Sequence, residues 1–397
     1  MNPVSPLPAI SCLFAAAITS SLIARKFGAP SSQGRHAPID GLRGYLATLV
    51  FLHHACIWYF YLRTGQWQIP PSNLYTHFGQ SSVALFFMIT GFLFFSKLID
   101  GRSRKIDWMA LFVSRFLRLT PLYIVLMILF FLLIAFLSHG ILKTPGPKLL
   151  VAMMQWLAFT IPGTPNLNGV GNPTLTVIAG VTWSLPYEWF FYFSLPLLAL
   201  TTRATPPLAY IIISAIGVSG LVIWQPQARH LTPFIGGIAA AILSRISIFR
   251  KISENPIASL IALACIATTT HQFPTAYEPI PIILLSIAFS IIASGNSLFG
   301  ILTNTASRNL GEFAYSIYLL HSVILFVVFT FILGEELSRS LSPLTHWLII
   351  IGITPVLIVT CAMTFRYIER PAMRSTTAVT GWIRSRRLPA LSRKSGE

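Results

Sequence analysis

The fold class this sequence predicts is all-α: a polytopic integral membrane protein of about ten transmembrane helices, with a further apolar helix near the N-terminus. Three observations predict it. Of 397 residues, 54% are hydrophobic and only 10% are charged, whereas a soluble domain carries about a quarter charged residues. The apolar runs, among them 83–98, 119–137 and 317–333, are continuous rather than alternating. They approach the ~20 residues that span about 30 Å of hydrocarbon as helix, which argues against a barrel. The formal charge of +17 would suit nucleic acid, but the basic residues sit in short connections between apolar runs, where a membrane topology accounts for them.

The elements follow in order. Residues 8–24 are apolar and lack a basic segment before them, so they read as an additional span or an interfacial helix rather than a cleaved signal peptide. Ten core spans are expected at 43–62, 81–98, 119–138, 182–202, 207–224, 231–247, 256–271, 279–296, 310–333 and 346–366. With the first of these starting inside, all but five of the 28 Lys and Arg residues fall on the cytoplasmic side. The five are Arg63, Lys143, Lys148, Arg229 and Arg339, and the asymmetry places both ends of the core in the cytoplasm. Residues 149–161 are too short to cross and read as a re-entrant or interfacial piece. The uncharged Gly-, Pro- and Asn-rich stretch 162–181 is the longest outer connection and a candidate lid. The expected organisation is an N-terminal extension (1–38), a transmembrane domain (39–374) and a basic cytoplasmic tail (375–397); the basic run from Arg370 to Lys394 is expected to be disordered. No internal repeat is evident, which disfavours inverted-repeat transporters.

Ionisable groups inside spans are costly, so each is a functional candidate. Asp40 stands where it can cap the first core helix. Eleven residues separate Arg43 from His54, about three turns plus 20°, so the two share one face with His54 roughly 16 Å deeper. Glu188 lies near the start of a span entering from outside, in the same layer as His54, where a carboxylate would orient the imidazole or act as base itself. His321 reaches mid-membrane with Tyr318 on the same face. A structural interhelical hydrogen bond is the competing reading for that pair. Arg115 and Arg118, an i, i+3 pair of guanidinium forks at a membrane surface, suit a phosphate-rich ligand. Arg102, Arg104 and Lys105 in the same connection are explained by topology or lipid headgroups alone.

Other chemistries find no support. Walker loops, dinucleotide fingerprints and nucleophile elbows are missing. The four cysteines, Cys12, Cys56, Cys265 and Cys361, lie in apolar stretches without paired spacing and read as small buried hydrophobes. His54 and Cys56 point about 200° apart on a helix, so no metal site is expected there.

Six ordered blocks resemble the acyltransferase 3 family of membrane-bound acyltransferases, which modify envelope polysaccharides and related acceptors. They are Ile39-Asp40-Gly41-Leu42-Arg43-Gly44 followed by His54; Phe86 to Leu93, with Thr90 where Ser is usual; Arg115-Phe116-Leu117-Arg118; Thr182-Trp183-Ser184-Leu185-Pro186-Tyr187-Glu188; Leu310 to His321; and Tyr367-Ile368-Glu369-Arg370-Pro371. Each block is weak alone, and the order makes them specific. Glu312, where a basic or polar residue is more typical, and the N-terminal apolar stretch depart from the pattern, and the soluble outer domain of some members is missing.

The resemblance implies a multi-pass protein of the inner membrane that moves an acyl group, acetyl above all, from acyl-CoA to a hydroxyl of a sugar-like acceptor, with no permanently bound cofactor and no metal. On this reading Arg43, Arg115 and Arg118 hold CoA, while His54 is general base with Glu188 orienting it, or is itself the nucleophile of an acyl-histidine. Tyr315, Tyr318 and His321 line the cavity. The rival from another class is a glycolipid or small-molecule transporter using Arg43, His54 and Glu188 as a proton relay.

Overall fold

The computed structural model describes residues 2–29, 36–101, 105–171, 173–223 and 226–392. Arg102, Arg104, Arg393 and Lys394 therefore lie outside the described residues, which form helices and turns with no strand.

The chain begins with α1 (Pro6–Phe27), capped by the Ser5 side chain, and continues into α2 (Ala37–Thr64). Helix α2 starts earlier than Asp40: Pro38, pre-set for a helical first turn, lets the helix begin at Ala37. Asp40 thus sits inside the first turn, where it faces the positive helix end rather than capping it. Helices α3 (Asn73–Asp100), capped by Ser72, and α4 (Trp108–Leu137), capped by Asp107, complete the first group. A short α5 (Gly146–Leu157), too short to cross, packs on α4 through buried Trp156 and leaves Leu150, Val151 and Met154 exposed.

The next group comprises α6 (Pro173–Thr176), a tight turn at Val181–Ser184, α7 (Leu185–Thr201), α8 (Leu208–Ile223), α9 (Ala228–Leu243), α10 (Ser247–Ser253), α11 (Pro256–Gln272) and α12 (Pro279–Ala293). The last comprises α13 (Thr305–Glu312), α14 (Ala314–Phe326) widening into a π-turn to Ile332, α15 (Glu335–Ser340), α16 (Pro343–Thr364) with a second π-turn at Phe365–Glu369, α17 (Arg370–Arg374) and α18 (Thr376–Ser392).

Among the described residues, six helices are long and apolar enough to cross a membrane: α1, α2, α3, α4, α14 with its π-turn, and the continuous run from α16 into α18. A seventh is reached if α9 and α10, bent by 105°, count as one span. The expectation of about ten is not matched. The shortfall is one of length, since α7, α8, α11 and α12 have 15–17 residues, or about 23–26 Å at 1.5 Å per residue, short of a 30 Å core. Residues 8–24, by contrast, do lie in a helix of spanning length.

The two central helices are α2 and α3. Their apolar windows are 78% and 72% buried within the protein, against 39% for α1 and α4. Helix α9 packs closely on α3 because Gly237 lets it reach the backbone of Met88, and Gly311 of α13 does the same against the Asp40 carbonyl of α2. Any Cβ at either position would overlap main chain, the small-residue device by which apolar helices approach each other. Cys12, Cys56 and Cys361 are buried and Cys265 half-buried, all as free thiols.

As far as Ser392 the basic tail is helical, not the disordered segment its composition predicts. It continues as α17 and α18, with Arg384 paired to Asp107 at 2.7 Å and Thr380 buried. Composition was overridden because the helix propagates from α16 and packs on α4.

Candidate functional site

Most of the ionisable candidates named from the sequence line two cavities that share a wall, while buried His321 lies behind His54. One, of about 210 Å³, is lined by Arg43 of α2, Thr90 of α3, Arg115 and Arg118 of α4, Glu188 and Tyr192 of α7, and Tyr315 and Tyr318 of α14. The other, of about 280 Å³, is lined by His53 and His54 of α2, Gln80 of α3, Trp183, Arg229 and His230, and Thr275 and Tyr277. Val83 and Tyr318 line both and form the partition.

The local sequence explains why the groups stand there. Arg43 and His54 share one face of α2, so the helix presents its guanidinium to the first cavity and its imidazole to the second. Glu188 falls in the first turn of α7, after Pro186, where the helix N-terminus favours a negative charge. Tyr318 is fixed from both sides: its hydroxyl lies 2.8 Å from the Ser184 hydroxyl and 2.9 Å from the Val181 carbonyl. This pins the turn that launches α7 onto α14.

Charges in the first cavity do not balance. Glu188 is within electrostatic reach of Arg115, Arg43 and Arg118, and its Oε1 accepts from the Thr90 hydroxyl at 3.4 Å. Three guanidiniums and one carboxylate line the cavity, with Glu369 behind Arg118 and Arg43. Arg118 donates to the Met373 thioether at 3.6 Å, a weak acceptor for a cation. Arg115 lies 5.1 Å from the centre of the Phe94 ring, with a buried Nε that has no hydrogen-bond partner. Donors left so poorly satisfied beside an open space suit an anionic ligand with several acceptor oxygens.

At the second cavity, His54 is held by groups other than the one expected. Its Nδ1 lies 3.0 Å from the Val50 carbonyl and 3.1 Å from Nε2 of His321, whose own Nδ1 lies 2.9 Å from the Ile317 carbonyl. One proton arrangement satisfies all three contacts. His321 donates Nδ1–H to Ile317, the His54 Nδ1–H is shared between the Val50 carbonyl and the bare Nε2 of His321, and the lone pair of His54 is then on Nε2. The Ala179 carbonyl, from the outer connection, also lies against this imidazole. His53 lines the same cavity, its ring centre 4.9 Å from that of His54, with its Nδ1 bonded to the Tyr75 carbonyl at 2.7 Å and its ring against Gly79.

The sequence-level candidates thus separate into two groups. Arg43, Arg115, Arg118 and Glu188 come together with Tyr315 and Tyr318; His54 and His321 come together on the far side of Tyr318. The expected pairing of Glu188 with His54 is not formed. Equal depth does not imply contact, because α14 supplies the imidazole's neighbour while Glu188 turns toward the arginines. Tyr315 donates to the Leu119 carbonyl at 2.9 Å and braces α14 on α4.

Four features escaped sequence reasoning. Thr90 was visible only as a departure within its block, not as the partner of Glu188. Trp183, His230 and Tyr277 form an aromatic cluster, with ring centres 4.8 Å apart for Trp183–His230 and 4.5 Å for His230–Tyr277. Gln80 buttresses the cavity by accepting from Thr275 and from the Ala276 amide. Buried Glu369, with Ser316 donating to one oxygen and no partner on the other, stands behind the arginines. Only the Tyr367–Pro371 block pointed to it. The candidate lid at 162–181 is tied down: the Asn168 side chain accepts from Lys143 and Thr144 amides and donates to Ile141, and Trp156 donates to Pro165.

No curated protein and no solved structure matches the chain. The model of the acyltransferase 3 family, described as an acyltransferase domain, matches residues 37–365, which takes in both cavities and every candidate residue named from the sequence except those of the tail block. The match spans more than half of the chain, and the chain belongs to the acyltransferase 3 family.

Proposed function

We propose that this chain is a membrane-bound O-acyltransferase that moves an acyl group, acetyl in the first instance, from acyl-CoA to a hydroxyl of a sugar-like acceptor. The observation that carries the reading is the adjacency of the arginine cavity and the His54 cavity across Val83 and Tyr318.

On this reading the CoA phosphates lie among Arg43, Arg115 and Arg118. Glu188 acts there by holding the guanidiniums in place and offsetting part of their mutual repulsion. The pantetheine arm follows the shared face of α2, about 16 Å from Arg43 to His54, and brings the thioester to the Tyr318 partition. The acceptor occupies the second cavity, whose aromatic walls and Gln80 and Thr275 side chains suit a polyhydroxylated ligand with apolar faces. His54 Nε2 takes the proton of the attacking hydroxyl; the C–O bond forms, the C–S bond breaks, and the proton ends on the CoA thiolate. His321 is a positioning residue that fixes the tautomer. Attack by Nε2 itself, giving an acyl-histidine that the acceptor then discharges, uses the same geometry. The positive-inside distribution supports a cytoplasmic donor and an outward-facing acceptor.

The test is acetyl-CoA consumption by the purified protein in lipid discs, followed by thiol release. Wild type is expected to release CoA, with His54→Ala reduced at least a hundredfold, the range of general-base loss. Normal turnover by His54→Ala, or transport of a glycolipid without thioester consumption, overturns the reading. Single turnover with labelled acetyl-CoA and no acceptor separates the two chemistries, since label trapped on His54 excludes direct transfer.

A further inference from the structure

A third cavity adjoins the His54 cavity. It holds about 810 Å³ and runs along α9, α11 and α12, closed at one end by Phe249 and Ile252 of the bent α10. Its walls are apolar, and Ile235, Ile261 and Ile283 are 65%, 46% and 58% exposed. At the opposite end stand Arg229 and Tyr277, and these two residues also line the His54 cavity. An apolar groove therefore communicates with the His54 cavity through one cation and one phenol.

Both junction residues are placed as a ligand would need them and as the fold alone would not. Arg229 is in the first turn of α9, where the helix end is already positive and a cation is unfavourable. Its side chain donates through Nε to Gln227 at 2.8 Å, and no ion pair engages it among the described residues. The terminal nitrogens and the α9 end together attract an anion. The Tyr277 hydroxyl is sealed from solvent without a hydrogen-bond partner, although a buried hydroxyl ordinarily has one.

We propose that the groove holds the hydrocarbon tail of a phosphate-bearing lipid, that Arg229 and the Tyr277 hydroxyl bind its phosphate, and that its hydroxylated head group is the acceptor presented to His54. This rests on the acyltransferase reading and names its acceptor class. The transfer is the same balanced step: the head-group hydroxyl gives its proton to His54 Nε2, the acyl carbon passes from CoA sulfur to that oxygen, and the proton leaves on the CoA thiol. A tail seated in the groove supplies binding in proportion to its buried area, while the charge and the phenol fix the phosphate so that the head group reaches the second cavity.

The experiment reconstitutes the full chain in vesicles of equal parts phosphatidylglycerol and monogalactosyldiacylglycerol. Both have hydroxylated head groups and only the first has phosphate. Lipid retained by the detergent-extracted protein is read by native mass spectrometry, and labelled acetyl-CoA reports transfer to each lipid. Wild type is expected to retain and acetylate phosphatidylglycerol over the galactolipid by tenfold or more. Arg229→Gln abolishes the preference. Ile235→Trp and Ile283→Trp, at exposed positions that tolerate substitution, fill the groove and lower retention of both lipids at least tenfold.

Equal retention of the two lipids by wild type, or unchanged retention in the groove variants, overturns the proposal, as does CoA consumption with label only in water-soluble products. Selective lipid retention without any consumption of acetyl-CoA overturns the acceptor assignment together with the acyltransferase reading. The two failures are thus distinguishable.

Discussion

At the scale of single residues, the proposed chemistry depends on which nitrogen of His54 carries the proton. The contacts to Val50 and His321 place it on Nδ1, so the two histidines are not equivalent. His321→Ala is expected to lower kcat about tenfold to a hundredfold, by analogy with the loss of other ligand-orienting partners, with KM for acetyl-CoA unchanged. His321→Gln, whose amide oxygen can accept from Nδ1–H, is expected to recover part of the loss. Equal kinetics for the two variants, or a change in KM alone, would remove His321 from the tautomer argument. The arginines answer a different measurement. Arg115→Ala and Arg118→Ala are each expected to raise KM for acetyl-CoA about tenfold or more, the value of a charge-assisted hydrogen bond of ~1.5–3 kcal/mol. The same substitutions leave the affinity of a donor analogue lacking the phosphates nearly unchanged. Much of this was legible in the chain: an arginine, a histidine and a glutamate inside apolar runs are rare enough to be informative. The partner of His54 was not legible. Spacing tells which face of a helix a side chain occupies, but not which helix packs against that face, so Glu188 was assigned a neighbour that α14 supplies instead.

At the scale of elements, the junction of α4 and α18 is the most directly testable. Asp107 caps α4 through the Ala110 amide at 3.0 Å and pairs with Arg384 at 2.7 Å. The amide hydrogen bond first, and Arg384 after it, hold its carboxyl below the usual carboxylate range. A depressed folded pKa means the stabilisation is complete above the unfolded value of about 3.9 and is lost as the pH falls through the lower folded value. Asp107→Ala is expected to cost about 1 kcal/mol, the usual worth of an N-cap, seen as a lower Tm in detergent at neutral pH. The difference from wild type should shrink below about pH 4. A Tm difference that persists unchanged at pH 3 would show that the cap is not the cause. Composition foretold none of this, because a basic tail reads as solvated chain until a helix upstream propagates into it and an acidic cap waits beside it. Element lengths were harder still. Apolar runs mark where a span can lie, whereas the tight turn before α7 and the bend after α9 trim helices that the hydropathy alone extends.

For the whole molecule, the distribution of Lys and Arg sets an orientation that cysteine labelling can test. In a background lacking the four native cysteines, Cys at position 229 is expected to react with an impermeant maleimide from outside intact cells. Cys at positions 250 and 384 should react only after permeabilisation. Labelling of 250 from outside would reverse the assignment of donor and acceptor sides. The central position of α2 and α3 also ties orientation to stability. Gly237→Leu places a branched side chain against the Met88 main chain, so it is expected to reduce the yield of folded protein sharply, while Gly352→Ala, within α16 and with open space around it, is expected to cost far less.

The partition formed by Val83 and Tyr318 has a consequence for the cell as well as for the reaction. A protein that brings a cytoplasmic thioester to an acceptor outside needs an opening, and an opening through a bilayer dissipates ion gradients. With one tyrosine anchored to Ser184 and Val181, and one valine beside it, the two chambers meet across a seal about one side chain thick. On the proposed function, an acyl group is handed over that seal while CoA stays on its own side. Tyr318→Ala would then make the membrane leaky before it made the enzyme slow.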